Sequence, residues 1–241
     1  MSQPKLTMTK GNAKLDKRIT TFSLPAGWTC PGAKICKSRA VIRDGRAKVR
    51  DGEFTEFRCF AASQEAMYRP AYNSRRRNLQ MLLKCANRTE MAELIERSMP
   101  KSETGIMRIH PSGDFFNQAY FDAWLLVAQR KPNWTFYAYT KSLPYWIKRL
   151  DLVPDNFILT ASFGGIHDDL IHEHRLKHAV VVYSQEQAAE YDYDIDHDDS
   201  LALTPNVSFA LLLHGVQPKN TEAAAALVQL KKKGITGYSR R

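Results

Sequence analysis

Short apolar runs that each end in a polar turn recur along the chain, and this repetition constrains the fold more than any other feature. The clearest unit is 106–115, where a strand-like run ends at a polar turn and a helix-like run over 117–131 follows. Comparable apolar runs lie at 20–25, 134–139, 157–161, 179–183 and 209–213. Apolar strands that alternate with helices are typical of parallel sheets covered on both faces. The sequence therefore predicts an α/β fold, a partial or degenerate TIM-like barrel of about six parallel strands.

The chain divides into an arm, a domain and an insertion. Residues 1–18 are polar and lysine-rich, which indicates a flexible basic arm, and 19–241 is long enough for a single α/β domain. Within that domain, 34–60 interrupts the repeats after the first strand. We expect this insertion to bring Cys36 and Cys59 close to the end of the first strand.

Several local signals refine this outline. Asp-Gly pairs at 44–45 and 51–52 predict hairpin turns in the insertion. Pro70 predicts that the helical stretch 63–86 forms two pieces. The acidic stretch 191–199 has neither the central glycine nor the terminal glutamate of a calcium loop, which favours a solvated loop.

The basic charge is concentrated in the first third of the chain. Residues 1–90 contain 19 Lys and Arg and 7 Asp and Glu, a net charge of +12, whereas the whole chain carries +10. A concentrated basic region favours a polyanionic partner, so we expect nucleic acid, and DNA in particular. No apolar stretch is long enough for a membrane span or a signal peptide, and we expect a cytoplasmic protein with no membrane partner.

The carboxyl ends of parallel strands meet at one edge of a sheet, and α/β proteins place their chemistry there. The polar residues that follow the predicted strands should therefore form one site. Those assigned to substrate binding are Ser142, Ser162, Gly164, Gly165, Ser184, Gln185, His214 and Gln217. Each taken singly has a structural alternative, such as a helix cap or a buried core histidine.

Asp114 is the first candidate for a catalytic carboxylate. Ser112 and Gly113 allow a sharp turn, after which the acid would project over the sheet edge at a helix start. Such an aspartate can act as nucleophile, general base or ligand, and the structural alternative is a plain N-cap. His110, Ser112 and Lys141 complete the predicted catalytic set, with Lys141 suited to holding a phosphate.

Three cysteines could bind a metal. Cys30 and Cys36 have the spacing C-x5-C, and Cys59 follows at a distance. In a cytosolic protein, cysteines bind a metal more often than they form a disulfide. The three cysteines are therefore candidate ligands of zinc or of an iron–sulfur cluster, and the alternative is that they are ordinary buried thiols.

Arginines and aromatic residues in the first third could contact nucleic acid. The candidate phosphate contacts are Arg69, Arg75, Arg76, Arg77 and Arg88. Nearby phenylalanines and tyrosines could stack on bases.

Several motifs together resemble the bacteriophage "gene product 88" family. The motifs are Phe22-Ser23-Leu24-Pro25-Ala26-Gly27, Cys30-Pro31-Gly32-Ala33 with Cys36, Phe57-Arg58-Cys59-Phe60-Ala61-Ala62-Ser63, the 108–115 turn, Tyr139-Thr140-Lys141-Ser142, Ser162-Phe163-Gly164-Gly165 and His214-Gly215-Val216-Gln217-Pro218. They span nearly the whole chain and are specific in combination. The resemblance implies a phage protein, located in the infected host cell, and carries no catalytic assignment to transfer.

Two looser likenesses suggest reactions. The turn at 112–115 is similar to that of barrel enzymes that exchange guanine for a deazaguanine in tRNA or phage DNA, although in those the acid precedes the serine. This likeness implies a DNA base-modifying transferase in which Asp114 attacks or stabilises the sugar carbon. The cysteine loop after the first strand is similar in place to that of radical S-adenosylmethionine barrels, although the spacing departs from C-x3-C-x2-C. A non-catalytic DNA-binding protein is the third alternative.

Overall fold

A computed structural model describes residues 3–11 and 15–235. Its main sheet has seven strands in the spatial order β1-β2-β5-β6-β7-β8-β9, and β3 and β4 form a separate hairpin. The strands are β1 (Met8–Lys10), β2 (Ile19–Phe22), β3 (Ser38–Arg43), β4 (Arg46–Asp51), β5 (Gly105–Ile109), β6 (Trp134–Thr140), β7 (Phe157–Ser162), β8 (His178–Val182) and β9 (Phe209–Leu212). Six of the seven strands run parallel, and β1 is antiparallel to β2. The mixed α/β prediction is confirmed.

Helices connect the parallel strands. They are α1 (Phe60–Met67), α2 (Arg69–Leu83), α3 (Arg88–Ser98), α4 (Gln118–Arg130), α5 (Leu143–Ile147), α6 (Asp169–Glu173), α7 (Gln185–Glu190) and α8 (Glu222–Lys232). The break predicted from Pro70 occurs at Tyr68, whose backbone is extended. Proline has no N–H to continue α1 but is tolerated in the first turn of α2. No helix among the described residues is long and apolar enough to cross a membrane.

The strands bury alternate residues in two different cores. Met107 of β5 packs into the main core with the helices, whereas its neighbour Arg108 points to the opposite face, where it meets Asp199. On β6, Phe136 joins the main core and Tyr137 joins a second cluster on the opposite face. This period of two follows from strand geometry. The sheet therefore has one face covered by helices and one face that holds polar and aromatic side chains.

The parallel strands follow chain order across the sheet without a reversal. Because strand–helix–strand crossovers are right-handed, such an order places the connecting helices on one face, as in a barrel. Among the described residues, however, no strand pairing joins β9 back to β1 or β2, so the sheet is open and no closed barrel is formed.

The first 60 residues differ in part from expectation. Within the predicted flexible arm, Met8–Lys10 pairs with β2 as the sheet edge, and Leu6 is buried in the main core. Residues 1–2 and 12–14 of that arm lie outside the described residues, as do 236–241 of the predicted domain. In the insertion, the first Asp-Gly pair forms the β3–β4 turn. The second pair does not form a hairpin turn, because Asp51 ends β4 opposite Ser38 and the Gly52 N–H continues the same ladder by donating to the Lys37 carbonyl.

The acidic stretch predicted to be solvated is partly buried. Asp196 and Asp199 are almost inaccessible, and the segment that follows them packs Ala202 into the second cluster, with Tyr137 and Phe209. Lys177 donates from Nζ to the carbonyls of Leu201 and Ala202, at 2.9 and 2.7 Å. The prediction of a solvated loop was wrong because the carboxylates of Asp196 and Asp199 have buried hydrogen-bond partners, Ala202 N–H and the Tyr137 hydroxyl. A count of charges in the sequence does not reveal such partners.

Candidate functional site

A cavity of about 170 Å³ lies at the carboxyl ends of the parallel strands. Five consecutive strands, β5 to β9, contribute to its wall, and the segment 57–60 from the cysteine insertion covers it. We call it the strand-end cavity. Its lining is Cys36, Phe57, Arg58, Cys59, Phe60, Arg108, His110, Pro111, Tyr139, Lys141, Ser162, Val181, Leu211, Leu212, Leu213 and His214. The prediction that polar strand ends converge is thus realised for a subset of the residues proposed.

A second cavity of about 340 Å³ shares lining residues with the strand-end cavity, including Phe60, Arg108 and His214. It extends the space towards β1 and Arg75. Among the described residues that line either cavity there is no aspartate or glutamate, whereas arginine, lysine and histidine recur. The electrostatic character of the combined cleft therefore suits an anionic ligand.

His110 follows β5 directly and lines the strand-end cavity. Its backbone has φ 61°, a left-handed conformation that is uncommon outside glycine, although histidine adopts it more often than most residues, as do asparagine and aspartate. Nε2 hydrogen-bonds to the Tyr120 hydroxyl at 2.9 Å, and Nδ1 has no hydrogen-bond partner among the described residues. Burial lowers the pKa of His110 to about 3, so the imidazole is neutral at physiological pH.

Lys141 lies at the end of β6 and reaches across to the end of β7. Its Nζ donates to the Ser162 hydroxyl at 2.6 Å and to the carbonyls of Ser162 and Phe163 at 3.0 and 2.5 Å. Both Lys141 and Ser162 line the strand-end cavity. The ammonium is thus held in one place, where it adds positive charge to the wall.

Asp114 is buried below this wall and does not line either cavity. One carboxylate oxygen accepts from the Thr140 hydroxyl at 2.6 Å and the Phe115 N–H at 2.7 Å, and the other accepts from the Lys141 N–H at 2.8 Å. Burial raises the pKa of Asp114, although these hydrogen bonds oppose the shift. In this conformation the carboxylate fixes the backbone of Lys141 and the turn after β5.

Gly113 allows this turn to form. Its φ is 86°, and a Cβ at this position would lie 2.6 Å from Thr29 Oγ1 and 2.8 Å from Leu24 Cβ. The close approach of the loop after β2 therefore requires glycine.

Ser112 belongs to a buried network that joins the turn to α1 and α2. Its hydroxyl donates to the Leu24 carbonyl at 2.8 Å and lies 3.2 Å from Glu65 Oε1. The same Glu65 oxygen accepts from the Ala26 N–H at 2.8 Å and from Arg75 Nη1 at 3.1 Å. Arg75, proposed as a phosphate contact, is therefore buried and paired with Glu65, although it lines the second cavity.

The remaining residues predicted to bind substrate make structural contacts. The Ser142 hydroxyl donates to the Phe115 carbonyl at 2.8 Å, and Ser184 caps α7. Gln217 clamps the covering segment, since it accepts from the Arg58 N–H at 2.6 Å and donates to the Arg58 carbonyl at 3.1 Å. Gln185 lines a separate cavity beside α7.

Gly164 and Gly165 do not line the strand-end cavity, and Gly164 contacts the insertion at residues 34–35. Their N–H groups donate to the Asp168 carboxylate at 2.8 and 2.9 Å. The Gly164 carbonyl accepts from the N–H groups of Lys34 and Ile35. His214, in contrast, lines both cavities and lies with its ring 4.6 Å from that of Phe60.

The other predicted phosphate contacts lie on the surface of α2 and α3. Arg69 and Arg76 lie over the ring of Tyr72, at 5.3 and 4.4 Å. Arg77 donates to the Thr7 hydroxyl at 3.4 Å, and Arg88 lies 3.4 Å from Asp122. None of these four lines the strand-end cavity.

The three cysteines of the proposed metal site come from the loop after β2 and from both ends of the insertion. Burial, followed by the proximity of Asp114, Cys59 and Cys36, raises the pKa of Cys30. Burial and then Cys36 raise the pKa of Cys59 to about 11. The three thiols thus share one region, but no group of three His, Cys, Asp or Glu side chains among the described residues is placed to hold a metal ion. The metal role expected of these three thiols stays a prediction, and we assign them no step.

Sequence reasoning missed Arg108, which lies within an apolar strand and lines both cavities. Arg108 Nη1 pairs with Asp199 Oδ2 at 2.8 Å, and the guanidinium lies 5.3 Å from the Tyr139 ring. Asp199 also accepts from the Tyr137 hydroxyl at 2.7 Å. A charge inside an otherwise apolar strand was the signal that could have indicated this buried ion pair.

Comparisons with known proteins identify the family and nothing more. No curated protein and no solved structure matches the chain. A family model described as gene product 88 matches residues 2–231, nearly the whole chain. The chain therefore belongs to the gene product 88 family, the family that its motifs resemble.

Proposed function

We propose that this protein is a phage enzyme that modifies a base of DNA, and that the strand-end cavity receives one extruded nucleotide. The observation that carries this proposal is the composition of the cavity wall, which combines cations, aromatic rings and an apolar floor and contains no carboxylate. Enzymes that act on a base take it out of the helix stack into a closely fitting pocket.

The wall has the groups that such a ligand requires. Lys141 supplies positive charge for a phosphate, and Phe57 and Tyr139 supply aromatic faces for a base. The guanidinium groups of Arg58 and Arg108 add N–H donors to the wall, although each is paired with an aspartate outside the lining, Asp51 or Asp199. The 170 Å³ cavity is smaller than a typical ligand pocket, and the adjoining 340 Å³ brings the cleft into the usual range. The larger space would hold the sugar and the flanking backbone.

The proposed reaction is exchange of guanine for a deazaguanine. The glycosidic bond between C1′ and N9 breaks, the departing base takes up a proton at N9, and an incoming base that loses its own N9 proton forms the new bond to C1′. Asp114 is the candidate to attack or stabilise C1′. Because it lies buried below the cavity wall, the 112–115 turn must move to expose it, and Oδ1 must exchange the Thr140 hydroxyl for the substrate. His110 lines the cavity and is neutral, and its buried Nδ1, which has no hydrogen-bond partner among the described residues, is the candidate to accept the proton that the incoming base loses.

Two further features belong to the proposal. The chain-order winding with helices on one face supports descent from a TIM-like barrel that has lost its closure. The cytoplasm of the infected host cell, where phage DNA is accessible, is the proposed location.

The test measures incorporation of radiolabelled guanine into acid-insoluble duplex DNA by the purified full-length protein. Lys141→Met should lower the rate at least a hundredfold, since the ammonium at the cavity wall is lost while side-chain length is retained. Lys148→Met is the matched control, because Lys148 is exposed after α5 and does not line the cavity. Asp114→Asn should also abolish exchange while DNA binding persists.

The outcomes separate the alternatives. If Asp114→Asn exchanges guanine at the wild-type rate, the base-exchange mechanism is wrong. DNA binding with no exchange, and no change in the nucleosides of DNA from infected cells, would support the non-catalytic DNA-binding alternative instead.

A further inference from the structure

The β3–β4 hairpin carries an unusual concentration of positive charge. Five of its residues are Lys or Arg, and its two acids, Asp44 and Asp51, lie at the turn and at the end of β4. The turn itself is tight, since Asp44 and Gly45 have φ of 55° and 72°, the left-handed conformations that two-residue hairpin loops favour. The two strands are therefore held in a fixed register.

This register brings all five cations to one face. Residues opposite each other in an antiparallel pair point to the same side, and residues two apart along a strand do so as well. The pairs on this face are Arg39 with Arg50, Val41 with Lys48 and Arg43 with Arg46. We call it the cationic face of the hairpin.

The other face is already occupied. It presents Ala40 and Val49, which contact α1, and Val49 packs with Ala61 and Ala62 of that helix. Asp51 lies on this inner side and pairs with Arg58 at 2.5 Å, which links the hairpin to the lining of the strand-end cavity. The hairpin is thus fixed on the protein by one face, and its cationic face is turned to solvent.

Like charges directly opposite each other destabilise a hairpin. Here Arg43 faces Arg46 and Arg39 faces Arg50, and Asp44 lies 3.5 Å from Lys48 in an exposed ion pair. An exposed pair at this distance contributes little. The arrangement is therefore unfavourable in isolation and becomes favourable against a polyanion.

A row of stacked cations and rings continues from this face. The Arg39 guanidinium lies 4.6 Å from the ring of Trp28, which is 48% exposed. Arg76 lies 5.2 Å from the same ring and 4.4 Å from that of Tyr72, which Arg69 also approaches. The stacking holds these arginine side chains in place at the edge of the hairpin. They therefore lose less conformational entropy when a ligand binds.

We infer that the β3–β4 hairpin is a DNA-binding ribbon that enters the major groove of a B-form duplex. The major groove, about 12 Å wide, admits a two-stranded ribbon, and phosphates on both of its edges face the cations. The deep and narrow major groove of A-form RNA does not admit it. The inference rests on the proposed function in taking DNA as substrate, and it identifies the surface that holds the duplex beside the cavity.

The test is fluorescence anisotropy with a labelled duplex of about 30 base pairs and the full-length protein, at several salt concentrations. The variant Arg43→Gln, Arg46→Gln, Lys48→Gln changes three exposed side chains of the cationic face. The control Lys84→Gln, Lys101→Gln, Lys148→Gln removes the same charge from exposed positions outside the hairpin. Circular dichroism and thermal unfolding confirm that both variants fold.

We expect the hairpin variant to bind duplex DNA at least tenfold more weakly at about 0.1 M salt, and its slope of log affinity against log salt to fall by about 2.7. The control should keep both values near those of the wild type. The inference is wrong if both variants lose affinity for duplex DNA to the same extent. It is also wrong if the wild-type protein binds an RNA duplex as tightly as a DNA duplex. If the wild-type protein does not exchange guanine but the hairpin variant alone binds DNA more weakly, only the proposed reaction is wrong.

Discussion

The surroundings of His110 strongly alter its acid–base chemistry, and the effect on stability can be measured. Burial lowers its pKa to about 3 in the folded protein, against an ordinary value near 6.5. Above pH 6.5 the residue is neutral in both states. As pH falls from 6.5 to 3, only the unfolded chain takes up the proton, so the free energy of unfolding should decrease by up to about 4 to 5 kcal/mol.

The variant His110→Asn isolates this contribution, because asparagine tolerates the left-handed φ of 61°. It should be less stable than the wild type at pH 7, since the ring contacts with Phe115 and Tyr120 are lost. Its stability should nevertheless fall less steeply with acid. Urea unfolding between pH 7.5 and 4 measures both curves, and parallel curves would show that His110 does not titrate as the structure implies.

At the scale of elements, the sequence predicted the strands well and their polar contacts poorly. Apolar runs fixed β5 to β9 to within one or two residues, because burial on both faces demands continuous apolar sequence. The charge of Arg108 inside an apolar strand indicates a buried partner, but that partner, Asp199, lies far away in the chain and no local pattern identifies it. Likewise, the sequence placed Asp114 and Ser112 correctly after a strand but did not predict their hydrogen bonds with Thr140 and Leu24, which are distant in the chain.

The Arg108–Asp199 pair should anchor the 196–204 segment to the sheet. Asp199→Asn keeps the size of the side chain and its φ of 67°, but it leaves the largely buried Arg108 guanidinium without its countercharge. We expect a loss of about 3 kcal/mol or more in the free energy of unfolding, measured by urea denaturation. The exposed Asp194→Asn is the matched control and should change stability by no more than about 0.5 kcal/mol. Equal effects of the two changes would show that the pair does not stabilise the fold.

At the scale of the whole molecule, the fold brings Cys30, Cys36 and Cys59 to one end of the sheet from three separate segments. Metal binding requires thiolates, and burial and mutual repulsion raise the pKa values of Cys30 and Cys59, the latter to about 11. These pKa values belong to thiols without a metal, since a bound cation would stabilise the thiolate form. We therefore expect the thiols of metal-free protein to be neutral and to react slowly with a disulfide reagent at pH 7.5, and fast reaction would contradict this expectation. Metal analysis, the visible spectrum and thiol titration of the same sample check this. A protein that is brown when purified anaerobically, with absorbance near ~400 nm that Cys30→Ala abolishes, would support the iron–sulfur alternative, because the three cysteines would then bind a cluster as thiolates.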